Sequence, residues 1–322
     1  DAGVAVAAWE EELPDQSAAI VIESSDVRRR FNLGPFTGQL FIHAIGIAGH
    51  DQLKYVLDIF NDGYGTLSCT HDANAWPAEV YAGLPTPNTG EQVILWVQNS
   101  HPVAIPPQSI GLRVMGEDEL HWIDGVVEPF ATMAVNISEL LPGLAAGSQL
   151  ELHAGKYLVR PRYEVIDSKE NRRIAHVNVE RTDLIPDQNL LGLEGLVGKG
   201  YILAAPILPA NQYDSKVLWA PMATTQNELV ANLTVFDREG IEMESFPLRF
   251  LDRGEAIPIS VTECLRSANS ELLEHCGHME LTYDLANGPE ADGWMHAIFH
   301  YRNTVSGHQA ETSFGSHMFN IP

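Results

Sequence analysis

Basic residues are scarce in this chain. Its 322 residues include 19 Lys and Arg against 43 Asp and Glu, which gives a formal net charge of −24. Adjacent basic residues occur at Arg28–Arg30 and at Arg172–Arg173. Because phosphate backbones and anionic lipid headgroups attract clustered Lys and Arg, this composition argues against nucleic acid and against an anionic membrane surface as partners.

Long apolar runs and cysteines are also few. No stretch reaches the roughly 18 to 20 apolar residues that cross a bilayer, so we expect no direct membrane insertion. The chain begins at Asp1 rather than Met, which is compatible with removal of a signal peptide. Three cysteines do not make a disulfide framework. Either Cys264 pairs with Cys276 and leaves Cys69 free, or all three are small buried hydrophobic residues.

Standard catalytic motifs are absent. The sequence contains no G-x-S-x-G, no H-E-x-x-H and no C-x-x-C. The glycine-rich segment 192–200 (GLEGLVGKG) has no Ser or Thr after Lys199, where a phosphate-binding loop needs one. This segment is better interpreted as a flexible linker. The missing motifs favour a protein that is not an enzyme and leave that question open.

An internal repeat is the main positive signal. Four blocks match in order: 73–80 with 210–217, 91–99 with 228–237, 134–141 with 258–265, and 150–152 with 279–281. The third block is the strongest, since it aligns AVNISELL with PISVTECL without a gap. Matching blocks that keep their order and spacing predict two modules of one architecture.

Hydrophobic residues in these blocks alternate with polar ones. Leu53, Tyr55, Leu57 and Ile59 show the same period of two, which is typical of half-buried antiparallel strands. Turn sequences such as Asn61-Asp62-Gly63 recur at short intervals. We therefore predict an all-β protein of two tandem antiparallel β-sandwich modules, Ig-like or jelly-roll-like, with few short helices.

Domain boundaries follow from the same pattern. Residues 1–34 are expected to form an extended arm and residues 35–180 a first sandwich, which carries an extra hairpin between Thr37 and Cys69. Residues 181–200 are predicted to be the linker, and residues 201–322 the second sandwich.

Histidine is frequent, with 13 residues in two neighbourhoods. Residues four apart share a face of a strand, so His296 and His300 are expected on one face, and a turn near Ser306-Gly307 would place His308 opposite them. Such a cluster fits zinc or copper. The second candidate metal group combines three further residues, His43, His71 and Cys69. The alternative is that these are ordinary surface or core residues and that the chain has no cofactor.

Aromatic and acidic residues offer two further hypotheses. The rings of Trp76, Tyr81 and Trp122 are candidates for a binding surface for glycan or protein. Acidic pairs in Glu117-Asp118-Glu119, or Asp167 with Glu164, would be needed for a glycan-active enzyme. Both acidic groups are more simply explained as solvated turns and strand faces.

The sequence is compatible with three functions. The favoured one is a non-catalytic binding or assembly protein, part of a larger protein or complex, that contacts a protein partner or a second copy of itself. The alternatives are a zinc- or copper-binding protein and a glycan-active enzyme. In general style the repeat resembles the small sandwich modules strung along bacterial extracytoplasmic proteins. This resemblance implies no particular ligand. The cysteine content leaves the cellular compartment open and favours a periplasmic or extracellular location over the cytoplasm.

Overall fold

The computed structural model describes residues 3–12, 20–42, 54–61, 66–73, 77–180, 201–221, 228–248, 251–253, 258–267, 274–283, 295–315 and 317–318. Within these residues the chain forms antiparallel sheets and three short helices. The all-β sandwich prediction is confirmed. The predicted linker 181–200 lies outside the described residues.

The N-terminal arm contains one helix that the sequence did not predict. Helix α1 spans Ser24–Arg30, with Asp26 in its first turn and Arg28, Arg29 and Arg30 in its last. Acidic residues near the N-terminus and basic residues near the C-terminus of a helix complement its dipole. No residue of α1 is buried, so this helix lies on the surface of the molecule.

A two-stranded hairpin precedes the first sandwich. Strand β1 (Lys54–Asn61) pairs with β2 (Thr66–Ala73), and Asp58 lies opposite Cys69. The alternation around Leu57 and Ile59 therefore predicted a strand correctly. The hairpin extends four residues beyond Cys69, the end that the sequence predicted for it.

The first sandwich, called sandwich 1, comprises β3 to β11 and helix α2. Their bounds are β3 Val80–Pro85, β4 Gln92–Gln98, β5 Gly111–Val114, β6 His121–Trp122, β7 Thr132–Asn136, α2 Ile137–Leu140, β8 Gln149–His153, β9 Arg162–Ile166, β10 Arg172–His176 and β11 Asn178–Val179. The two sheets have the orders β11-β3-β8-β5-β6 and β10-β9-β4-β7. Alternate residues Val93, Leu95 and Val97 of β4 are fully buried between them.

The second sandwich, sandwich 2, comprises β12 to β22 and helix α3. Their bounds are β12 Tyr201–Ile207, β13 Tyr213–Pro221, β14 Glu228–Leu229, β15 Ala231–Asp237, β16 Glu242–Pro247, β17 Leu251–Asp252, β18 Ile259–Ser260, α3 Val261–Ser267, β19 Gly277–Tyr283, β20 Met295–Asn303, β21 Gln309–Gly315 and β22 His317–Met318. The two main sheets have the orders β16-β15-β19-β12-β22 and β18-β13-β20-β21, and β14 pairs with β17. Trp219 and Phe299 are central to its separate core.

The two sandwiches share one strand order. If β3 of sandwich 1 is equated with β12, β4 with β13, β8 with β19 and β10 with β21, both sheets of sandwich 1 match those of sandwich 2 strand for strand. The strongest sequence block falls on equivalent elements, because β7 and α2 correspond to β18 and α3.

The first two sequence blocks do not fall on equivalent elements. The block at 73–80 leads into β3, but the block at 210–217 leads into β13, the equivalent of β4. The physical reason is that loop residues followed by a β-branched residue are compatible with the start of any strand, so a short match of this kind does not specify which strand follows. The sequence repeat itself stays a prediction.

The three cysteines are free thiols. Cys69 and Cys276 are exposed, and Cys264 is half-buried. The interpretation of all three as buried hydrophobic residues is therefore wrong for Cys69 and Cys276. Burial raises the pKa of the Cys264 thiol, and the neighbouring Glu263 carboxylate raises it further.

Candidate functional site

The main contact between the two sandwiches joins two equivalent edge strands. Strand β10 of sandwich 1 contacts β21 of sandwich 2, and β3 contacts β20. The hairpin strand β2 contacts both β10 and β21. There the Ser68 hydroxyl accepts a hydrogen bond from the Ile174 backbone N–H at 2.9 Å, and the Thr70 hydroxyl lies 3.0 Å from His176 Nδ1. We call this contact region between the sandwiches the junction.

One arginine of sandwich 1 is bound by sandwich 2. Arg173 of β10 donates from Nε to Glu311 Oε2 of β21 at 2.5 Å, and from a terminal nitrogen to Gln309 Oε1 at 3.0 Å. The same guanidinium reaches Glu91 of sandwich 1 at 2.8 Å. Its side chain is 5% exposed. A buried guanidinium is therefore fully paired with two carboxylates, which is the condition under which a buried charge is tolerated.

The Tyr163 hydroxyl completes this group. It donates to Glu311 Oε1 at 2.6 Å, so both oxygens of that carboxylate accept a hydrogen bond from sandwich 1. Burial and the Glu311 carboxylate together hold the pKa of Tyr163 well above its usual range, so the ring stays protonated.

A second arginine crosses the junction in the opposite direction. Arg253, which follows β17 of sandwich 2, donates to Glu180 Oε1 at 2.5 Å and to Glu151 Oε1 at 2.6 Å, both in sandwich 1. The two carboxylate side chains are 0% exposed. Arg113 of β5 holds the other oxygen of Glu151 at 2.5 Å.

His296 belongs to this second group. Its Nε2 lies 3.3 Å from Glu180 Oε2, and its side chain is 0% exposed. Burial would by itself raise the pKa of Glu151, but the imidazole of His153 and the guanidinium groups of Arg253 and Arg113 lower it to about 2. Glu151 is therefore ionised at every physiological pH.

The structure separates the three histidines of the first predicted metal site. His296 and His300 lie on one strand face as predicted, opposite the core residues Ala297 and Phe299. However, His296 binds Glu180, His300 binds Gln309 Oε1 at 2.8 Å, and His308 lies beyond the β20–β21 turn. In the described part of the chain, no three His, Cys, Asp or Glu residues form a group that could hold a metal ion.

The second predicted metal group is only partly described. Cys69 and His71 both lie on β2, and the Cys69 side chain is exposed. His43 lies outside the described residues. A zinc or copper site therefore stays a prediction for both groups.

The predicted aromatic surface divides into three different cases. Tyr81 is 0% exposed, and its hydroxyl donates to the Leu158 carbonyl at 2.7 Å, so a binding role is wrong for this buried ring. Trp122 is 41% exposed on β6. Trp76 lies outside the described residues.

The acidic residues considered for glycan chemistry are either paired with other groups or exposed between strands. Glu164 pairs with Arg172 at 3.0 Å. Asp167 accepts from the backbone N–H groups of Lys169 at 2.8 Å and Asn171 at 2.9 Å. Residues 117–119 lie in an exposed segment between β5 and β6. These placements match the simpler interpretation as turns and strand faces.

A polar cleft opens at the rim of the junction. It has a volume of about 240 Å³ and lies between two turns of sandwich 1 and the β20–β21 turn of sandwich 2. The lining from sandwich 1 includes Thr89, Gly90, Ser168 and Lys169, and Arg302 lines it from sandwich 2. Both sandwiches therefore contribute polar groups to one concave surface.

The charged junction residues were missed at the sequence level. Glu151 offered one signal, because it stands between the core residues Leu150 and Leu152 of a short strand. A carboxylate amid a fully buried strand requires a cationic partner. The sequence did not identify that partner, since Arg253 is 102 residues away.

Comparisons with known proteins do not place this chain in a family. It matches no protein family and no curated protein. Among solved structures it is similar to the BSP domain of a biofilm-associated protein, with 11% identity and a TM-score of 0.22 over 82% of this chain and 58% of that one. A β-glucuronidase from Bacteroides uniformis gives 11% identity and a TM-score of 0.14 over 74% of this chain and 26% of that one. The CupB6 tip adhesin from Pseudomonas aeruginosa gives 8% identity and a TM-score of 0.15 over 81% and 89%.

These likenesses define neither a family nor a function, because their TM-scores are low. The chain spans 58% of the BSP-domain structure and about a quarter of the glucuronidase. Among the described helices, none has both the length and the apolar character needed to span a membrane.

Proposed function

We propose that this chain is a non-catalytic structural or binding protein in which two β-sandwiches are fixed in one relative orientation. Loops and edge strands of both sandwiches then act together on a protein partner, as parts of one rigid surface. The proposal includes a periplasmic or extracellular location, which fractionation of the native host cells and protease accessibility on intact cells would test.

The observation that carries this proposal is the reciprocal charge pairing at the junction. Arg173 of sandwich 1 is bound by Glu311 of sandwich 2, and Arg253 of sandwich 2 is bound by Glu151 and Glu180 of sandwich 1. Any rotation of one sandwich against the other would leave these buried charges without partners. Each uncompensated buried charge costs several kcal/mol, so alternative orientations are strongly disfavoured.

The experiment measures the rotational diffusion of the two sandwiches separately. ¹⁵N relaxation of the full chain should give one common correlation time for backbone amides of both sandwiches, and small-angle X-ray scattering should fit a single conformation. Different correlation times for the two sandwiches in the wild type would overturn the proposal.

Two variants make this test specific to the junction. Arg253→Ala removes the terminal nitrogen that donates to both Glu151 and Glu180, and we expect it to separate the two correlation times. Arg253→Lys keeps the charge but loses the second terminal nitrogen, which donates to the Pro221 carbonyl, and should have an intermediate effect. Arg238→Ala is the matched control, because Arg238 is 74% exposed and pairs with its neighbour Glu239.

The metal-binding and glycan-active alternatives have no described observation that favours them. Elemental analysis of protein purified without a histidine tag separates the first from our proposal, since a structural protein of this kind retains no stoichiometric zinc or copper. Measurable hydrolysis of a glycan that is lost in a Glu-to-Gln series would support the second.

A further inference from the structure

We propose that the polar cleft at the rim of the junction binds an oxyanion, a carboxylate, phosphate or sulfate group of a small ligand. This site goes beyond the proposed structural function. It nevertheless rests on that function in one respect, because the cleft exists only while the two sandwiches keep their relative position.

The two carboxylates in the cleft wall are already fully engaged. Glu91 accepts from Arg173 with one oxygen and from Asn88 with the other, at 2.8 Å in both cases. Asp167 accepts from the two backbone N–H groups named above with Oδ1 and from the Asn171 side chain at 2.9 Å with Oδ2. Hydrogen bonds from Asn171 and its backbone neighbours, working against burial, lower the pKa of Asp167. All four oxygens of these carboxylates therefore already accept at least one hydrogen bond.

The uncommitted polar groups of the cleft include an ammonium and two hydroxyls. Within the described part of the chain, neither the Lys169 ammonium nor the Thr89 and Ser168 hydroxyls have a side-chain hydrogen-bond partner. An ammonium offers three donors and no acceptor, and a hydroxyl rotates to donate where an acceptor arrives. The free groups therefore match a ligand that carries negative charge and several acceptor oxygens.

Two further features favour a ligand at this place. Gly90 has a φ of +81° and no side chain, which leaves open the gap between its turn and Ser168; an added Cβ would lie 3.8 Å from Ser168 Cβ. The guanidinium of Arg302 lines the opposite wall, where it is oriented by hydrogen bonds to Asp214. Asp214 offsets the charge of Arg302, so Lys169 supplies the uncompensated positive charge of the cleft. The terminal nitrogen of Arg302 that does not bind Asp214 adds N–H donors for an anion.

The test uses three probes on the full chain at matched ionic strength: sodium phosphate, sodium sulfate and sodium acetate, with sodium chloride as the reference. ¹H–¹⁵N spectra should show saturable shifts of the backbone amides of Gly90, Ser168 and Lys169. Saturation with phosphate and sulfate alone identifies a tetrahedral oxyanion, and saturation with acetate identifies a carboxylate.

Lys169→Gln should weaken probe binding at least about tenfold, because hydrogen bonds to charged groups are among the stronger ones. Lys156→Gln is the matched control, since Lys156 is 66% exposed and paired with Glu79 away from the cleft. The proposed site would be wrong if Lys169→Gln and Lys156→Gln bound the probes equally well. It would also be wrong if no probe caused a saturable shift of these amide resonances in the wild type.

The scattering profile distinguishes this failure from failure of the proposed function. An unchanged single-conformation profile together with absent binding rejects the oxyanion site alone. A profile that requires several orientations rejects the rigid junction and, with it, the cleft.

Discussion

Arg173 and Glu311 lie 138 residues apart in sequence and form a buried ion pair of 2.5 Å between the two sandwiches. Their strands, β10 and β21, occupy equivalent edge positions in sheets of the same strand order. An edge strand exposes unpaired backbone groups and invites contact with another chain. In this protein the two edge strands contact each other, and Arg173 and Glu311 form an ion pair across that contact.

Arg173→Met is expected to destabilise the chain strongly. The substitution keeps much of the volume but leaves Glu311 buried without its guanidinium, and removing one partner of a buried pair costs about 3 to 5 kcal/mol in the free energy of unfolding. Urea unfolding followed by tryptophan fluorescence and by circular dichroism measures the change.

An exposed arginine provides the control. Arg238 also pairs with a carboxylate, but its side chain is 74% exposed and that of its partner Glu239 is 55% exposed. Arg238→Met should therefore leave the free energy of unfolding nearly unchanged. Similar losses in the two variants would show that burial at the junction is not the cause.

Glu151 should stabilise the folded chain at neutral pH, and this contribution should be lost in acid. Its folded-state pKa of about 2 lies below the ordinary value of 4.5. The unfolded chain therefore binds a proton more readily than the folded chain between these values, and stability is lost as the pH falls through this range. A difference of this size corresponds to stabilisation on the order of 3 kcal/mol at neutral pH.

Glu151→Gln should remove this part of the pH dependence. We expect a lower free energy of unfolding at pH 7 and a shallower decline between pH 5 and about 2, both measured by urea titration. Glu117→Gln changes the net charge equally at an exposed position and should leave the wild-type slope intact. If the free energy of unfolding declined with falling pH equally in the wild type and in Glu151→Gln, Glu151 would not be the source of this pH dependence.

His300 should titrate below the usual histidine range. Burial lowers its pKa, and the nearby Arg173 charge lowers it further, while Glu311, Gln309 and Glu91 act in the opposite direction. The unfolded chain then takes up a proton near pH 6.5 before the folded chain does. The stabilisation that results from the lowered pKa of His300 is fully present above pH 6.5, and it is lost as the pH falls through the pKa of the folded state.

NMR titration of the His300 imidazole resonances tests this order directly. Arg173→Met should raise the pKa of His300, because it removes the positive charge and leaves the Glu311 carboxylate. Arg238→Met again serves as the control, because it changes the net charge equally at an exposed position. A titration of His300 at or above pH 6.5 in the wild type would contradict the predicted direction.

Local patterns predicted the strands well and the junction not at all. Alternation depends on neighbours in sequence, and it predicted β1 correctly; His296 and His300 do share a strand face. In the 134–141 block the strand prediction was right up to Asn136 and wrong beyond it, because residues Ile137–Leu140 form helix α2. The junction depends on pairs such as Arg253 with Glu180, which are 73 residues apart. A charged residue in a strand shows only that a partner is needed. The prediction for Tyr81 failed for the same reason, since nothing near Tyr81 in sequence distinguishes its buried position from the exposed one of Trp122.

Gly111 on β5 is expected to support the exposed ring of Trp122 on β6. The two residues are cross-strand partners, and a Cβ at Gly111 would lie 2.9 Å from Trp122 Cε3 and 3.1 Å from the His121 backbone oxygen. Gly111→Ala must displace the indole or separate the strands, and such overpacking costs about 1 to 3 kcal/mol. Urea unfolding should show this loss, and the folded variant should show greater quenching of tryptophan emission by acrylamide. Gly34→Ala is the control, because no heavy atom lies within 4 Å of a Cβ at that position. If Gly111→Ala matched this control in both measurements, the glycine would not be what holds the Trp122 ring against the sheet.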